Sequence, residues 1–248
     1  MNTMPKKVKP SSKIKAHSQA SRQLPSALVA GAAGFIGSHL CETLLSQNCQ
    51  VYAIDNWTTG KKENLKALMD NKNFVFIEHN LEKPFDAPVP KVDYIFHLAG
   101  VEAYVNGTDV SLETLLVNSL GTRELLEIAK DQDAKFLLAS TADIFSGQLA
   151  STDLTHLFGS EPKKQEAYSH HEAKRFSEAI TFEYLDRYQL NSRVVRLGLV
   201  YGPRMDLSSG NDVAQLLTST INNQPLKIYG QGLKILYPTN PSKLEILE

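Results

Sequence analysis

The 248-residue chain is 42% hydrophobic and 21% charged, with a formal net charge of −1, the profile of a globular protein large enough for a full core. A near-neutral balance excludes a global pull toward nucleic acid or an anionic membrane. No apolar run reaches the length that spans a bilayer, so neither nucleic acid nor membrane is expected as a partner.

In chain order, the first 26 residues carry Lys6, Lys7, Lys9, Lys13, Lys15 and Arg22 and no acid. They read as a disordered basic tail (1–26) without the apolar stretch of a secretory signal. A targeting segment or an electrostatic contact is the alternative. From Ala27, β-rich runs fall at ALVA (27–30), QVYAID (50–55), FVFIE (74–78), VDYIFHLA (92–99), KFLLAS (135–140) and SRVVRL (192–197). Amphipathic stretches lie between them, near 37–47, 61–70, 111–130, 165–188 and 211–222. Apolar strands alternating with helices predict βαβ units. With right-handed crossovers they give an α/β, Rossmann-type doubly wound parallel sheet with helices on both faces. Cys41 and Cys49 are placed on one helix, about 12 Å apart at a rise of ~1.5 Å per residue, too far to bridge. They read as reduced thiols in a cytoplasmic protein.

The first strand runs into GAAGFIGSHL, with glycines at 31, 34 and 37. Gly31 permits the tight turn, Gly34 admits a pyrophosphate to the backbone, and Gly37 lets the helix pack on the sheet. The free N–H groups of that helix start suit phosphates. Asp55 ends the second strand 18 residues after Gly37, where a carboxylate holds ribose hydroxyls and repels a 2′-phosphate. This favours NAD over NADP.

These residues, with DNWTTGKKEN (55–64), FHLAG (96–100), LLVNSLGT (115–122), LLASTADIF (137–145), KRFSEA (174–179) and YGPRM (201–205), fall in one order from about Ala27 to Gly232. In that order the chain resembles the extended short-chain dehydrogenases that act as NAD-dependent nucleotide-sugar epimerases, dehydratases and decarboxylases. It is most similar to UDP-glucuronate decarboxylases. The resemblance implies bound NAD that takes a hydride from the sugar, leaving a transient keto intermediate. It also implies a UDP-sugar substrate, a cytoplasmic homodimer joined through the two long helices, and a Rossmann domain over 27–200. A truncated small C-terminal substrate lobe over 201–248 follows.

Carried over residue by residue, Phe35, Ile36, Asn56, Thr59, Gly60, Leu81, Leu98, Ala99 and Gly100 join Gly31, Gly34, Gly37 and Asp55 around the cofactor. Asn80 stands where an aspartate contacts the adenine amino group, and its carbonyl is able to accept the same bond. Asn118 matches the asparagine of the central helix, and Lys174 matches the lysine that holds the nicotinamide ribose and lowers the pKa of a catalytic tyrosine. Thr141 takes the Ser/Thr position, and Asp143 stands for a glutamate. No metal is expected. Arg204 either touches a substrate phosphate or forms a surface ion pair.

The family pattern Tyr-x-x-x-Lys puts both groups on one helix face, yet four residues before Lys174 stands His170. Tyr168 is two residues earlier, about 200° around the helix from His170. Either His170 serves as the base, kept neutral by the Lys174 ammonium, or the chain is a catalytically degenerate NAD-binding protein. A shifted helix start that returns Tyr168 to the site is the minor alternative. Leu199 replaces a substrate-binding asparagine, and the abrupt end after YGQG (229–232) raises a third reading, a fragment of a longer enzyme.

Overall fold

The computed structural model describes residues 24–86, 88–100, 104–105, 108–145, 168–198, 200–207, 212–224, 226–229 and 244–247, with 104–105, 108, 143, 145, 168, 212, 226–229 and 244–247 described by backbone alone. The expected tail up to residue 23, Leu199 and most of the stretch after Tyr229 lie outside these residues. The described elements, in chain order, begin with β1 (Ser26–Ala30), α1 (Phe35–Ser46), β2 (Gln50–Asp55), α2 (Lys62–Leu65), β3 (Phe74–Glu78) and β4 (Tyr94–His97). A short antiparallel pair follows, β5 (Tyr104–Val105) and β6 (Thr108–Asp109). Next comes one long helix in three parts: α3 (Ser111–Leu116), a π-helical turn (Val117–Gly121) and α4 (Thr122–Gln132). After it come β7 (Lys135–Thr141), a 3₁₀ turn (Ala142–Phe145), α5 (Tyr168–Tyr188), β8 (Ser192–Leu197), α6 (Asp212–Ile221), β9 (Leu226–Tyr229) and β10 (Leu244–Leu247).

Six strands form a parallel sheet in the order β3-β2-β1-β4-β7-β8, and β9 pairs with β10 separately. Side chains alternate across each central strand, so one apolar run feeds two cores. Leu28 and Ala30 of β1 join Ile54, Ile95 and Leu138 beneath Leu125, Leu126 and Tyr184 of the helices on one face. Val29, Val51 and Ala53 point to the other face and pack on Cys41 and Leu45 of α1. The doubly wound Rossmann-type fold expected from the strand–helix alternation is the fold observed. Strand order reverses between β1 and β4, so a crevice opens beyond the carboxyl ends of these two strands.

Three elements differ from expectation. Cys49 is not helical: α1 stops at Ser46, and Asn48 at φ 57° turns the chain. Cys49 N–H then bonds Leu44 C=O and Asn48 N–H bonds Leu45 C=O, an αL helix ending with asparagine in the usual glycine position. Both cysteines are buried free thiols, and burial pushes Cys41 up to about 12. The expected strand 92–99 shortens to Tyr94–His97, because Leu98, Ala99 and Gly100 leave the sheet to line the crevice. The expected helix 61–70 keeps a single turn.

Candidate functional site

The crevice is an open cleft whose wall begins at the β1–α1 loop. Gly31 sits at φ +81°, and a Cβ there would lie 2.7 Å from Ala99 N. Gly37 packs closer still, since its Cβ would stand 2.0 Å from Gly31 C=O. The loop is therefore pressed between β4's exit and the start of α1. Gly34 is the N-cap, no side chain caps the helix, and its first turn carries no acid. The positive end of α1 is left open to an anion. Phe35 and Ile36 begin that helix; Phe35 turns its ring edge to His39 at 5.7 Å.

Asp55 is buried at the end of β2 and lines the cleft beside Asn56, Thr58 and Thr59. One carboxylate oxygen accepts from Ala33 N–H at 2.9 Å and the other from Trp57 N–H at 2.9 Å. Burial raises its pKa against those N–H bonds. Each oxygen keeps a second lone pair for a ligand hydroxyl. Gly60 packs on this carboxylate so tightly that a Cβ would lie 2.6 Å from its oxygen. Asp55 thus ties the glycine loop to the β2 loop.

The far wall is His79, Leu81, Leu98 and Val117. Asn80 is absent from it. Its Oδ1 accepts from Glu82 N–H at 3.1 Å and its Nδ2 donates to Glu82 Oε2 at 3.3 Å, a local turn that occupies the amide.

At the other end, groups converge on Gly100. A Cβ there would stand 3.0 Å from Lys174 Nζ and 3.7 Å from Asn118 Oδ1. Lys174 is buried, donates to Ala139 C=O at 3.0 Å, and burial lowers its pKa to about 8, with the Glu178 charge opposing. Asn118 is fully buried; its Nδ2 donates to Thr114 C=O at 2.8 Å, while its Oδ1 has no partner among the described residues. A buried amide oxygen without a donor is costly and suits a ligand donor.

The π turn places Asn118. Its main-chain carbonyl accepts from Ser177 Oγ at 2.6 Å and Thr122 Oγ1 at 2.7 Å, which pins the helix to α5 at this point. His97 Nε2 lies 3.0 Å from the same Thr122 hydroxyl. Since that hydroxyl gives its proton to Asn118, His97 donates. Burial, with the Lys174 charge, lowers the His97 pKa to about 3, so the ring is neutral. Lys174 is followed one turn later by Glu178, which is buried and grips Arg196 of β8 through two bonds of 2.9 and 2.7 Å.

His170 lies one turn before Lys174 on α5, half-buried, with its ring edge toward His171 at 6.1 Å. Tyr168 is the first residue of that helix. Thr141 is the last residue of β7, and Asp143 stands in the 3₁₀ turn that follows. Arg204 adopts φ 69° and bonds Glu42 of α1 at 2.8 Å. His79, Thr58, Ser177, Thr122 and Glu178 were missed from sequence. Only the four-residue step from Lys174 to Glu178 was a readable signal, the rest depending on tertiary contacts. Among the described residues no three His, Cys, Asp or Glu gather to hold a metal, and no helix is long and apolar enough to cross a membrane.

A dinucleotide fits this arrangement: an anion site with open N–H groups, a carboxylate beyond it, and at the opposite end, beside Lys174, an Asn118 oxygen with no partner among the described residues. In sequence the chain is 34% identical over 205 residues to UDP-glucuronic acid decarboxylase 1 of Arabidopsis thaliana, covering 83% of this chain and 46% of that protein. It is 30% identical to UDP-glucuronic acid decarboxylase 1 of Xenopus tropicalis, covering 83% and 48%. The chain spans about half the length of these relatives. In structure it resembles the UDP-N-acetylglucosamine 4-epimerase of Methanobrevibacter ruminantium, solved with UDP-N-acetylmuramic acid (TM-score 0.68, 25% identity, 85% of this chain and 67% of that one). It also resembles the UDP-glucose 4-epimerase of Thermotoga maritima, solved with UDP-glucose (TM-score 0.65, 27% identity, 84% and 66%). With its residues 27–235 matching the family profile, the chain belongs to the NAD dependent epimerase/dehydratase family.

Proposed function

We propose that this protein modifies a nucleotide sugar with NAD, in the manner of a UDP-glucuronate decarboxylase or a related epimerase or dehydratase. The observation that carries the reading is the meeting at Gly100 of Lys174 Nζ and Asn118 Oδ1, which has no partner among the described residues, at one end of a cleft that begins at the glycine loop. When bound, NAD supplies a hydride acceptor. The chain's own residues supply the rest. The first turn of α1 holds the pyrophosphate, Asp55 the adenosine ribose, and Lys174 the ribose at the reacting end, with its ammonium anchored on Ala139 C=O. His170, on the same helix face as Lys174, takes the proton from the sugar hydroxyl on a ring nitrogen as the hydride leaves carbon. Thr141 Oγ1 donates to the same sugar oxygen, and Asp143 serves as the second acid. A ketone β to a carboxylate then accepts the electron pair released with carbon dioxide.

Two features support the finer expectations. Leu112, Leu115 and Leu120 on the central helix and Phe176 and Phe182 on α5 are exposed on helices that pack side by side, a face suited to a second copy of the chain. Two buried free cysteines suit a reducing compartment such as the cytoplasm. The test is mass spectrometry of products after incubation with NAD and UDP-glucuronate, UDP-glucose or dTDP-glucose. A new sugar nucleotide in molar excess over protein, absent with Lys174→Met, is the expected result. Bound NAD without product refutes turnover and leaves a cofactor-binding protein.

A further inference from the structure

Lys174 carries its charge in a place that disfavours it. The side chain is 6% exposed, and a buried ammonium gives up its proton unless an opposite charge stands near. Of its three N–H groups, one goes to Ala139 C=O at 3.0 Å, the acceptor it meets among the described residues. A neutral carbonyl does not balance a full charge.

The groups around the lysine leave one strong source of balance. On β4, His97 is fully buried and neutral. Asn118 of the central helix and Ala139 and Ser140 of β7 carry no charge. His170, one turn earlier on α5, offers a cation or nothing. Asp143 stands in the 3₁₀ turn beyond β7. Glu178 is one turn later on α5 and 5% exposed, and residues four apart on a helix are neighbours. Its charge opposes the effect of burial on Lys174.

Glu178 is also kept from closing on the lysine. Arg196 Nε and Nη2 hold its two oxygens at 2.9 and 2.7 Å, and among the described residues its ion pair runs to Arg196 alone. A guanidinium fork fixes both oxygens at once and turns the carboxylate toward β8. Arg196 is itself exposed, so water screens its charge more than that of the buried acid.

We propose that Glu178 is a positioning residue for Lys174: its buried carboxylate, held by Arg196, keeps the ammonium charged without taking any of its N–H groups, which stay free for a ligand at Gly100. That the ligand is a ribose of NAD rests on the function proposed above.

The test follows the titration of Lys174 without added cofactor, by NMR of carbon-13-labelled lysine side chains. The Lys174 resonance is the one missing from Lys174→Met. Its wild-type midpoint is expected at about pH 8. Glu178→Gln lowers it by about one pH unit or more, since a neighbouring opposite charge moves a pKa by roughly 1–3. Arg196→Gln raises it, because the carboxylate is no longer offset, and Asp143→Asn moves it less than Glu178→Gln does. A purely structural Glu178 would loosen α5 from β8 in both the Glu178 and Arg196 variants and move both midpoints the same way. A midpoint unmoved in Glu178→Gln, or lowered further by Asp143→Asn, overturns the proposal. If Glu178→Gln does not fold, Arg196→Gln decides alone: a midpoint above the wild type's upholds the proposal, and one at or below it overturns it. Calorimetric titration with NAD tests the cofactor reading separately, with Lys174→Met expected to bind at least about tenfold more weakly. Equal affinity there overturns the ribose contact and the proposal with it. Failed midpoints beside lysine-dependent NAD binding overturn the proposal alone.

Discussion

Two alanine substitutions in one loop separate folding from ligand binding. A Cβ at Gly37 would stand 2.0 Å from Gly31 C=O, with Gly31 C and Ala32 Cα at 2.8 and 2.9 Å. Contacts under 3.0 Å are not tolerated, and all three atoms are backbone. Nor can the loop yield, because Gly31 and Ala32 N–H both bond Ile54 C=O and Ala33 N–H bonds Asp55. Helix α1 must therefore retreat by about 1 Å from a packed core, an overpacking that costs ~2–3 kcal/mol. For a chain of this size that lowers Tm by about 5–10 °C. Gly34 differs: its Cβ would lie 3.3 Å from Gly31 C=O, and its φ of −72° suits any residue. Gly34→Ala is expected to shift Tm by less than about 3 °C, since its cost stays under ~1 kcal/mol. It nevertheless fills the space where the pyrophosphate approaches, and NAD affinity is expected to fall at least about tenfold. Differential scanning calorimetry and NAD titration on both variants check the pair. A Gly37→Ala protein as stable as wild type, or a Gly34→Ala protein that binds NAD undiminished, refutes the reasoning.

Lys174→Met tests the buried ammonium: the folded pKa near 8 lies below the ordinary 10.5, so the unfolded chain binds more protons between those values and stability rises with pH across that window. The wild type should gain ~2–3 kcal/mol over the variant between pH 8 and 10.5 in parallel urea titrations, and equal slopes would count against a buried charged lysine. Glu178→Gln removes a buried carboxylate from Arg196, whose own side chain is 41% exposed; thermal melts should fall by the equivalent of ~2 kcal/mol. Thr122→Val keeps the shape but leaves His97 N–H and Asn118 C=O each short of one partner, a loss of ~1–3 kcal/mol in chemical denaturation; an unchanged midpoint would mean the two hydroxyl bonds contribute nothing.

What was legible from sequence is what depends on local backbone. Gly31, Gly34 and Gly37 and the acid at Asp55 were readable because a strand, a tight turn and a helix leave few choices of residue. Strands β2, β3 and β8 were placed to the residue because β-branched and aromatic side chains fill them between turn formers. Asn80 closes a turn of its own, its Oδ1 accepting from the Glu82 N–H two residues on. The π turn at Val117–Gly121 was invisible, since Ser177, which captures its carbonyl, is 59 positions away in the chain. The β5–β6 pair has two residues per strand, too few to show any alternation.

The two ends of the cleft are built from different material, and this bears on the histidine at 170. The end at the glycine loop rests on main-chain groups fixed by the sheet: the N–H groups of Ala33 and Trp57, the open turn of α1, and Gly31, Gly37 and Gly60, which admit no side chain. The other end rests on side chains that α5 and the central helix bring to Gly100 at the cleft's edge. Lys174 is held there by Ala139 C=O, and Asn118 by Thr114 C=O and the two hydroxyls on its carbonyl. None of those bonds runs through residue 170. On the proposed mechanism, exchanging a phenol for an imidazole at that position changes the proton acceptor while leaving the lysine, the asparagine and the glycine loop where they are. On the proposed function, cofactor binding and turnover are therefore separable, the first resting on backbone and the second on a handful of side chains.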